Sequence, residues 1–388
     1  MKAFLVLVIL GAVGWFGYQW VSADSNSEEV AAQDESSSND VSAEGDGFGA
    51  ALVASDRNRA SSQTGSAQAR NGQSAASADN ASNARSETTQ PSASNANRSG
   101  NGASATLPEA MQKLRQRSDA RWEALVEAGH NPVAHADSIA LARDYSRVLR
   151  ATYGKPGLSG LAEELIAQRL HPLAESIFFS PTPFLDDSSG LVQSHVVQSG
   201  ENPNDIGRGY GMSYQFINIL RGADPESGTL SVGERLKVFD LKERGYKMYI
   251  SKSEFQMDLY IADIFARRYD VGIGEDITPT PAGTTHITAR EREPQWTDPK
   301  TNRVYDFGHP DHIIGPVWLA FDPKIGRNGL GIHGYTGSGN AVGTRESNGC
   351  VRMRNDEVRE LYNILVPCAT TRDGRFISRA PMSVTIFE

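Results

Sequence analysis

One thiol and one imidazole, each framed by glycine, are the residues of this chain best suited to chemistry. Cys350 lies in Ser347-Asn348-Gly349-Cys350-Val351-Arg352-Met353, and His333 in Gly331-Ile332-His333-Gly334. Glycine lets backbone amides approach a reacting carbonyl closely, so this setting points to a cysteine nucleophile with its base. A free thiol, with a pKa of about 8.5, is only a few per cent thiolate at neutral pH. His333 can raise its reactivity by taking the proton or by standing beside the sulfur as imidazolium. Attack on an amide creates a tetrahedral oxyanion, which a converging backbone N–H stabilises by about 2.7–4 kcal/mol in a dry site. The amides of Asn348, Gly349 and Cys350 are the candidate donors. Arg352, always charged, can fork onto a carboxylate of substrate or protein, and Ser347 orients the loop.

Rival arrangements are weaker. Cys350 and Cys368 are the two cysteines of the chain and could form a disulfide in an oxidising compartment, but bridging would remove Cys350 from its glycine and histidine setting. Cys368 reads as a small buried hydrophobe. His309-Pro310-Asp311-His312 brings two imidazoles and a carboxylate together, yet the proline breaks the helix that an i,i+3 metal pair would use, and no metal is expected. Residues 337–343, Gly-Ser-Gly-Asn-Ala-Val-Gly, lack the Lys-Ser/Thr ending of a phosphate loop and read as a loop over the site. No cofactor is called for, because exchanging one amide for another through a thioester needs no nucleotide.

The spacing of His333-Gly334 and Ser347-Asn348-Gly349-Cys350-Val351-Arg352 closely resembles the L,D-transpeptidase family with the YkuD-type catalytic domain. Thr278-Pro279-Thr280-Pro281-Ala282-Gly283-Thr284 and Gly315-Pro316-Val317-Trp318-Leu319-Ala320-Phe321 extend the resemblance over residues 246–388. It implies a mostly β sandwich or barrel and attack by Cys350 on the stem tetrapeptide of peptidoglycan. It also implies that the Gly334 carbonyl fixes the His333 tautomer. Asn348 departs from the pattern, standing where the family usually has a second histidine. Asparagine can donate or accept hydrogen bonds but cannot carry a proton at neutral pH.

The elements that must position these groups follow from the composition. A chain of 388 residues exceeds one typical domain. Its net charge of -9, with no clustered basic face, excludes nucleic acid as partner. Residues 3–18 are almost uninterruptedly apolar behind Lys2, and Val21-Ser22-Ala23 has the small-residue pattern of a cleavage site, so residues 1–23 read as an export signal or retained membrane anchor. Uncleaved, residues 3–21 nearly span a hydrocarbon core of about 30 Å, placing the protein on the periplasmic side of the inner membrane. Residues 24–105 carry almost no large apolar side chain and read as a disordered tether reaching about 50 Å.

Residues 106–190 read as a helical bundle. Its first helix is expected to open with the capping box Thr106-Leu107-Pro108-Glu109, and His171-Pro172 marks a break or restart. Residues 191–241 read strand, helix, helix, strand and look like a LysM module, a fold that recognises glycans containing N-acetylglucosamine. The resemblance places Gly200, Glu201, Asn202, Leu220, Arg221 and Gly222 along its groove. Beyond 246, short apolar runs between glycines and prolines argue for a β fold, with a helix over 355–365 opened by Asn355 as N-cap. The whole is multidomain α+β. Its expected activity is L,D-transpeptidation with peptidoglycan as partner; the alternatives are an L,D-carboxypeptidase, transfer to a protein lysine, or an inactive wall-binding protein.

Overall fold

The computed structural model describes residues 105–185, 189–370 and 376–388, all within one compact unit, Ser94–Glu388. The expected export segment and, but for Ala105, the tether lie outside the described residues. Among the described residues no helix is long and apolar enough to cross a membrane.

The helical segment comprises α1 (Glu109–Glu127), α2 (Ser138–Arg150), α3 (Ser159–Leu165) and α4 (His171–Ala174). On α2, Ile139, Ala142, Tyr145, Val148 and Leu149 recur at helical spacing and are buried. One sequence expectation is corrected here and another holds. The α1 N-cap is Pro108 with no side-chain cap, because Thr106 sits two residues too early; the Pro108 carbonyl accepts from Met111 and Gln112 instead. The restart expected at His171-Pro172 is present: α4 begins at His171, with Pro172 in its first turn straight after the π-helical turn Ile166–Leu170.

Strand β1 (Val192–Val196), α5 (Pro203–Tyr210), α6 (Tyr214–Leu220) and β2 (Arg235–Phe239) follow, with β1 and β2 paired antiparallel. Asn202 caps α5 by accepting from the Asp205 amide at 3.0 Å, and Ser213 caps α6 by accepting from Phe216 at 3.0 Å.

From residue 246 the chain is mostly β. Strands β3 (Tyr246–Ser251), β4 (Gln256–Ile261) and β5 (Ile264–Asp270) form an antiparallel meander, and β6 (Ile273–Gly274) leads into the long β7 (Gly283–Arg292). A small hairpin of β8 (Trp296–Thr297) and β9 (Val304–Tyr305) precedes β10 (Val317–Phe321) and β11 (Gly331–His333). Then come β12 (Arg345–Ser347), β13 (Val351–Arg352), α7 (Asn355–Ile364), β14 (Cys368–Thr370), β15 (Phe376–Ser378) and β16 (Met382–Phe387). The main sheet has eight strands in the order β13-β11-β10-β7-β16-β3-β4-β5, parallel at β11–β13 and β3–β16 and antiparallel elsewhere.

Alternation in β10 and β16 sends Val317, Leu319, Phe321, Met382, Val384 and Ile386 inward. Helix α7 buries Val358, Leu361 and Ile364 and packs against β10 and β11, holding the strand that carries His333. Each such fully buried aliphatic chain contributes about 1.5–3 kcal/mol. The other segments are joined by polar contacts as well as apolar ones. Ser146 on α2 accepts from the Phe265 amide at 2.9 Å, and Arg292 on β7 meets Glu226 beyond α6 at 2.5 Å.

Candidate active site

Two short parallel strands bring the reactive residues together. In the register of β11 and β13, Ile332 lies opposite Val351 and His333 opposite Arg352, so Cys350, one residue before β13, comes level with Gly331. A cavity of about 340 Å³ opens there, lined by His333, Ser347, Asn348, Cys350 and Arg352 among others.

His333 is 5% exposed, and its Nδ1 lies 2.5 Å from the Gly334 carbonyl. A carbonyl only accepts, so Nδ1 carries the proton and Nε2 keeps its lone pair. Burial pushes the His333 pKa down to about 4; the Gly334 hydrogen bond opposes this and the Arg352 charge adds to it. At neutral pH the ring is therefore an uncharged base. The Cys350 thiol is raised above its ordinary value, chiefly by burial, against a hydrogen bond from the Gly331 backbone and the charges of Arg327 and Arg352. It points to the Gly329 carbonyl at 3.5 Å. Of the two ways His333 could assist, the resting site thus favours neutral thiol and neutral imidazole over an ion pair.

The loop before Cys350 is held from several directions. Ser347 Oγ donates to the Cys350 carbonyl at 2.5 Å and accepts from the Gly349 amide at 3.1 Å. The Ser347 carbonyl accepts from the Glu275 amide at 2.9 Å and from Thr278 Oγ1 at 3.3 Å, so the segment entering Thr278-Pro279-Thr280 supports the loop from beneath. Arg327 donates to the Asn348 carbonyl. Gly349 has φ of +98°, a conformation that side-chain-bearing residues avoid. One expectation is corrected: the Gly349 amide is occupied by Ser347, leaving those of Asn348 and Cys350 without a protein acceptor among the described residues.

Arg352 is 8% exposed; its guanidinium lies 4.1 Å from the Tyr335 ring centre and donates to the Glu346 carbonyl at 3.2 Å. Its Nε is buried with no partner among the described residues. Gly334 is fixed by crowding, since a Cβ there would lie 2.2 Å from Asn355 Oδ1 and 2.8 Å from Pro316. Asn355 is not the N-cap of α7 but its first residue, Arg354 being the cap. Its amide turns instead to the backbone after the histidine, accepting from Tyr335 N at 2.9 Å and donating to Tyr335 O at 3.1 Å.

The structure also shows what sequence reading missed. Glu291, Trp318 and Arg327 line the same cavity, and the Trp318 indole lies 5.8 Å from the His333 ring. The only hint was Trp318 within the Gly315–Phe321 run. The loop 337–343 contributes no residue to the cavity lining, contrary to expectation, because its Gly343 end is tied to Val271. Both cysteines are free, and burial pushes Cys368 up to about 12. His312 is buried with Nε2 at 2.8 Å from the Pro294 carbonyl, while His309 Nδ1 accepts from the Asp311 amide at 3.1 Å. Among the described residues no group of three or more His, Cys, Asp and Glu could hold a metal.

The six expected groove residues split. Gly200 and Gly222 sit in turns at φ of +88° and +73°, and the Asn202 side chain is the α5 cap. Glu201 Oε2 lies 2.8 Å from His195 Nε2, and Arg221 pairs with Glu234 at 3.2 Å. The Leu220 side chain, 2% exposed, belongs to the core and cannot face a ligand, because α6 turns that face inward.

The Cys350 thiol and the buried His333 imidazole thus line one cavity. Residues 245–373 match the family model of the YkuD L,D-transpeptidase catalytic domain. Bacillus subtilis YqjB, named as an L,D-transpeptidase, is 38% identical over 99 residues, which cover 25% of this chain and 53% of that one. Bacillus licheniformis YkuD, similarly named, is 26% identical over 176 residues, 44% of this chain and 92% of its own. Escherichia coli ErfK/SrfK, also so named, is 28% identical over 173 residues, 40% of this chain and 53% of its own. The chain thus spans about half the length of two of these relatives. The L,D-transpeptidase structure from Mycobacterium smegmatis is alike at TM-score 0.28 and 14% identity over 41% of this chain and 65% of that one, a likeness that adds no argument.

Proposed function

We propose that the chain is an L,D-transpeptidase that acts on peptidoglycan stem peptides through a Cys350 thioester. The observation that carries this reading is the Nδ1-protonated, uncharged His333 sharing a cavity with Cys350. His333 Nε2 takes the thiol proton as sulfur attacks the carbonyl between the L-centre of diaminopimelate and the terminal D-alanine. The oxyanion is met by the amides of Asn348 and Cys350, each donor contributing about 2.7–4 kcal/mol. His333 returns the proton to the departing D-alanine nitrogen and leaves a thioester. An amine of a second stem peptide then attacks, the C–S bond breaks and a 3-3 crosslink forms. Arg352, with its unpartnered Nε, would hold a substrate carboxylate.

Residues 191–241 would add glycan affinity as a LysM-like module, through the turn at Gly200, Glu201 and Asn202 and the loop at Arg221 and Gly222. Residues 1–23 would deliver the enzyme to the envelope, as signal or inner-membrane anchor. Muropeptides incubated with the protein and with Cys350→Ala test the reading by mass spectrometry. Direct 3-3 dimers that need Cys350 support it. Shortened tripeptides alone would instead make it an L,D-carboxypeptidase, and unchanged products with retained wall binding would leave only a reader of peptidoglycan.

A further inference from the structure

Four strands of the main sheet carry one continuous row of side chains into the cavity. Glu291 on β7 lies opposite Trp318 on β10, Trp318 opposite His333 on β11, and His333 opposite Arg352 on β13. Residues directly opposite share a face, so carboxylate, indole, imidazole and guanidinium follow one another, and all four line the cavity. At about 4.8 Å per strand, Glu291 stands roughly 10 Å from His333, on the side away from Arg352. That gap accommodates a reacting group bound over Trp318.

Glu291 is the one acid in this lining and carries neither an ion pair nor a hydrogen bond among the described residues. Neither cation of the lining pairs with it: Arg327 donates to the Asn348 carbonyl, and Arg352 donates to Glu346 O and lies over the Tyr335 ring. On its own strand, Arg290 and Arg292 point to the other face, Arg290 to the Tyr362 carbonyl at 2.6 Å and Arg292 to Glu226. Glu291 is exposed at the cavity rim, where partial desolvation raises its carboxyl above its ordinary value.

We propose that Glu291 binds the acceptor amine as its ammonium and serves as the base that makes it nucleophilic, a role that rests on the transpeptidase reading above. The proton count requires such a base. An alkylammonium arrives with three N–H bonds. The product amide keeps one, and one passes through His333 to the Cys350 sulfur as the C–S bond breaks. The third must leave before nitrogen can attack, while His333, uncharged and single, is needed for the sulfur. Glu291 takes it and releases it to water. Acylation by the donor, and hydrolysis of the thioester, involve no ammonium and do not need this residue.

The test compares the full-length protein with Glu291→Gln and Glu291→Asp on a tetrapeptide donor and a diaminopimelate-containing tripeptide acceptor. Single-turnover release of D-alanine reports acylation, and dimer formation against donor hydrolysis reports the fate of the thioester. In Glu291→Gln, dimer formation at neutral pH should fall by about 10²-fold, the lower range for a general base, with the loss confined to that step. The deficit should shrink as pH rises toward the amine pKa of about 10, where neutral amine forms unaided. Glu291→Asp should recover part of the rate. Normal acylation with unchanged dimer yield and pH profile would overturn the role, as would an equal loss in acylation. A wild-type protein that never releases D-alanine would instead overturn the function on which the role rests.

Discussion

His333 and Asn348 differ in what their side chains can do. In the proposed reaction, removing His333 would take away the proton carrier of both half-reactions, whereas Asn348 would offer the oxyanion a main-chain N–H that survives truncation. Turnover should drop by about 10²-fold or more in His333→Ala and by far less in Asn348→Ala; an equal or larger loss from the asparagine change would overturn the assignment of roles. The same histidine sets a pH dependence of stability. Its folded pKa of about 4 lies below the ordinary 6.5, so the unfolded chain binds the proton more readily. The stability this neutral ring confers is complete above pH 6.5 and lost as pH falls to about 4, on the order of 3 kcal/mol in all. The urea midpoint should fall further between pH 7.5 and pH 4.5 in wild type than in His333→Gln, and identical pH losses in the two would refute it. The thiol and imidazole were legible as a pair because their glycine settings are local. Their protonation was not, because it depends on burial by strands distant in sequence.

At the scale of elements, the support under the histidine rests on one crowded contact. Gly334→Ala would press a methyl into Asn355 Oδ1 and Pro316, displacing the carbonyl that fixes the imidazole tautomer. Activity should fall at least as steeply as stability, the latter by about 1–3 kcal/mol as for other overpacked sites; calorimetry and D-alanine release together check it, and a fully active variant would show that the contact relaxes freely. Several strands beyond 246 could be read from alternation, β10 and β16 above all, since one face of each is buried. Asn355 could not: its position suggested a cap, and only the approach of residues 334–335 to α7 diverts its amide to Tyr335. Thr106 shows the same limit: a capping signal is correct about local preference, but its effect depends on where the helix starts, whereas the restart at His171-Pro172 was legible because proline suits a first turn.

For the whole molecule, the helical segment and the sheet meet at a buried acid. Asp258 on β4, 3% exposed, pairs with Arg268 at 2.6 Å and accepts from Tyr153 OH at 2.6 Å, while Tyr153 OH also lies 2.7 Å from Tyr260 OH. Removing the acid leaves a largely buried guanidinium with Glu163 as its one remaining ion-pair partner among the described residues. Asp258→Ala should cost about 3–5 kcal/mol and lower the denaturation midpoint of helical and β signals together; a separate early loss of the helical signal alone would show that the two fold independently.

The choice of one thiol and one imidazole as candidate nucleophile and base, the glycines around them, and the β character of the region from 246 onward were set by the chain itself, because each depends on residue chemistry or on short-range alternation. The tertiary structure decided the rest. It occupied the Gly349 amide, turned Leu220 into the core, neutralised His333, and aligned Glu291, Trp318, His333 and Arg352 across four strands. Strand register joins positions that no local pattern relates, and burial sets their charge.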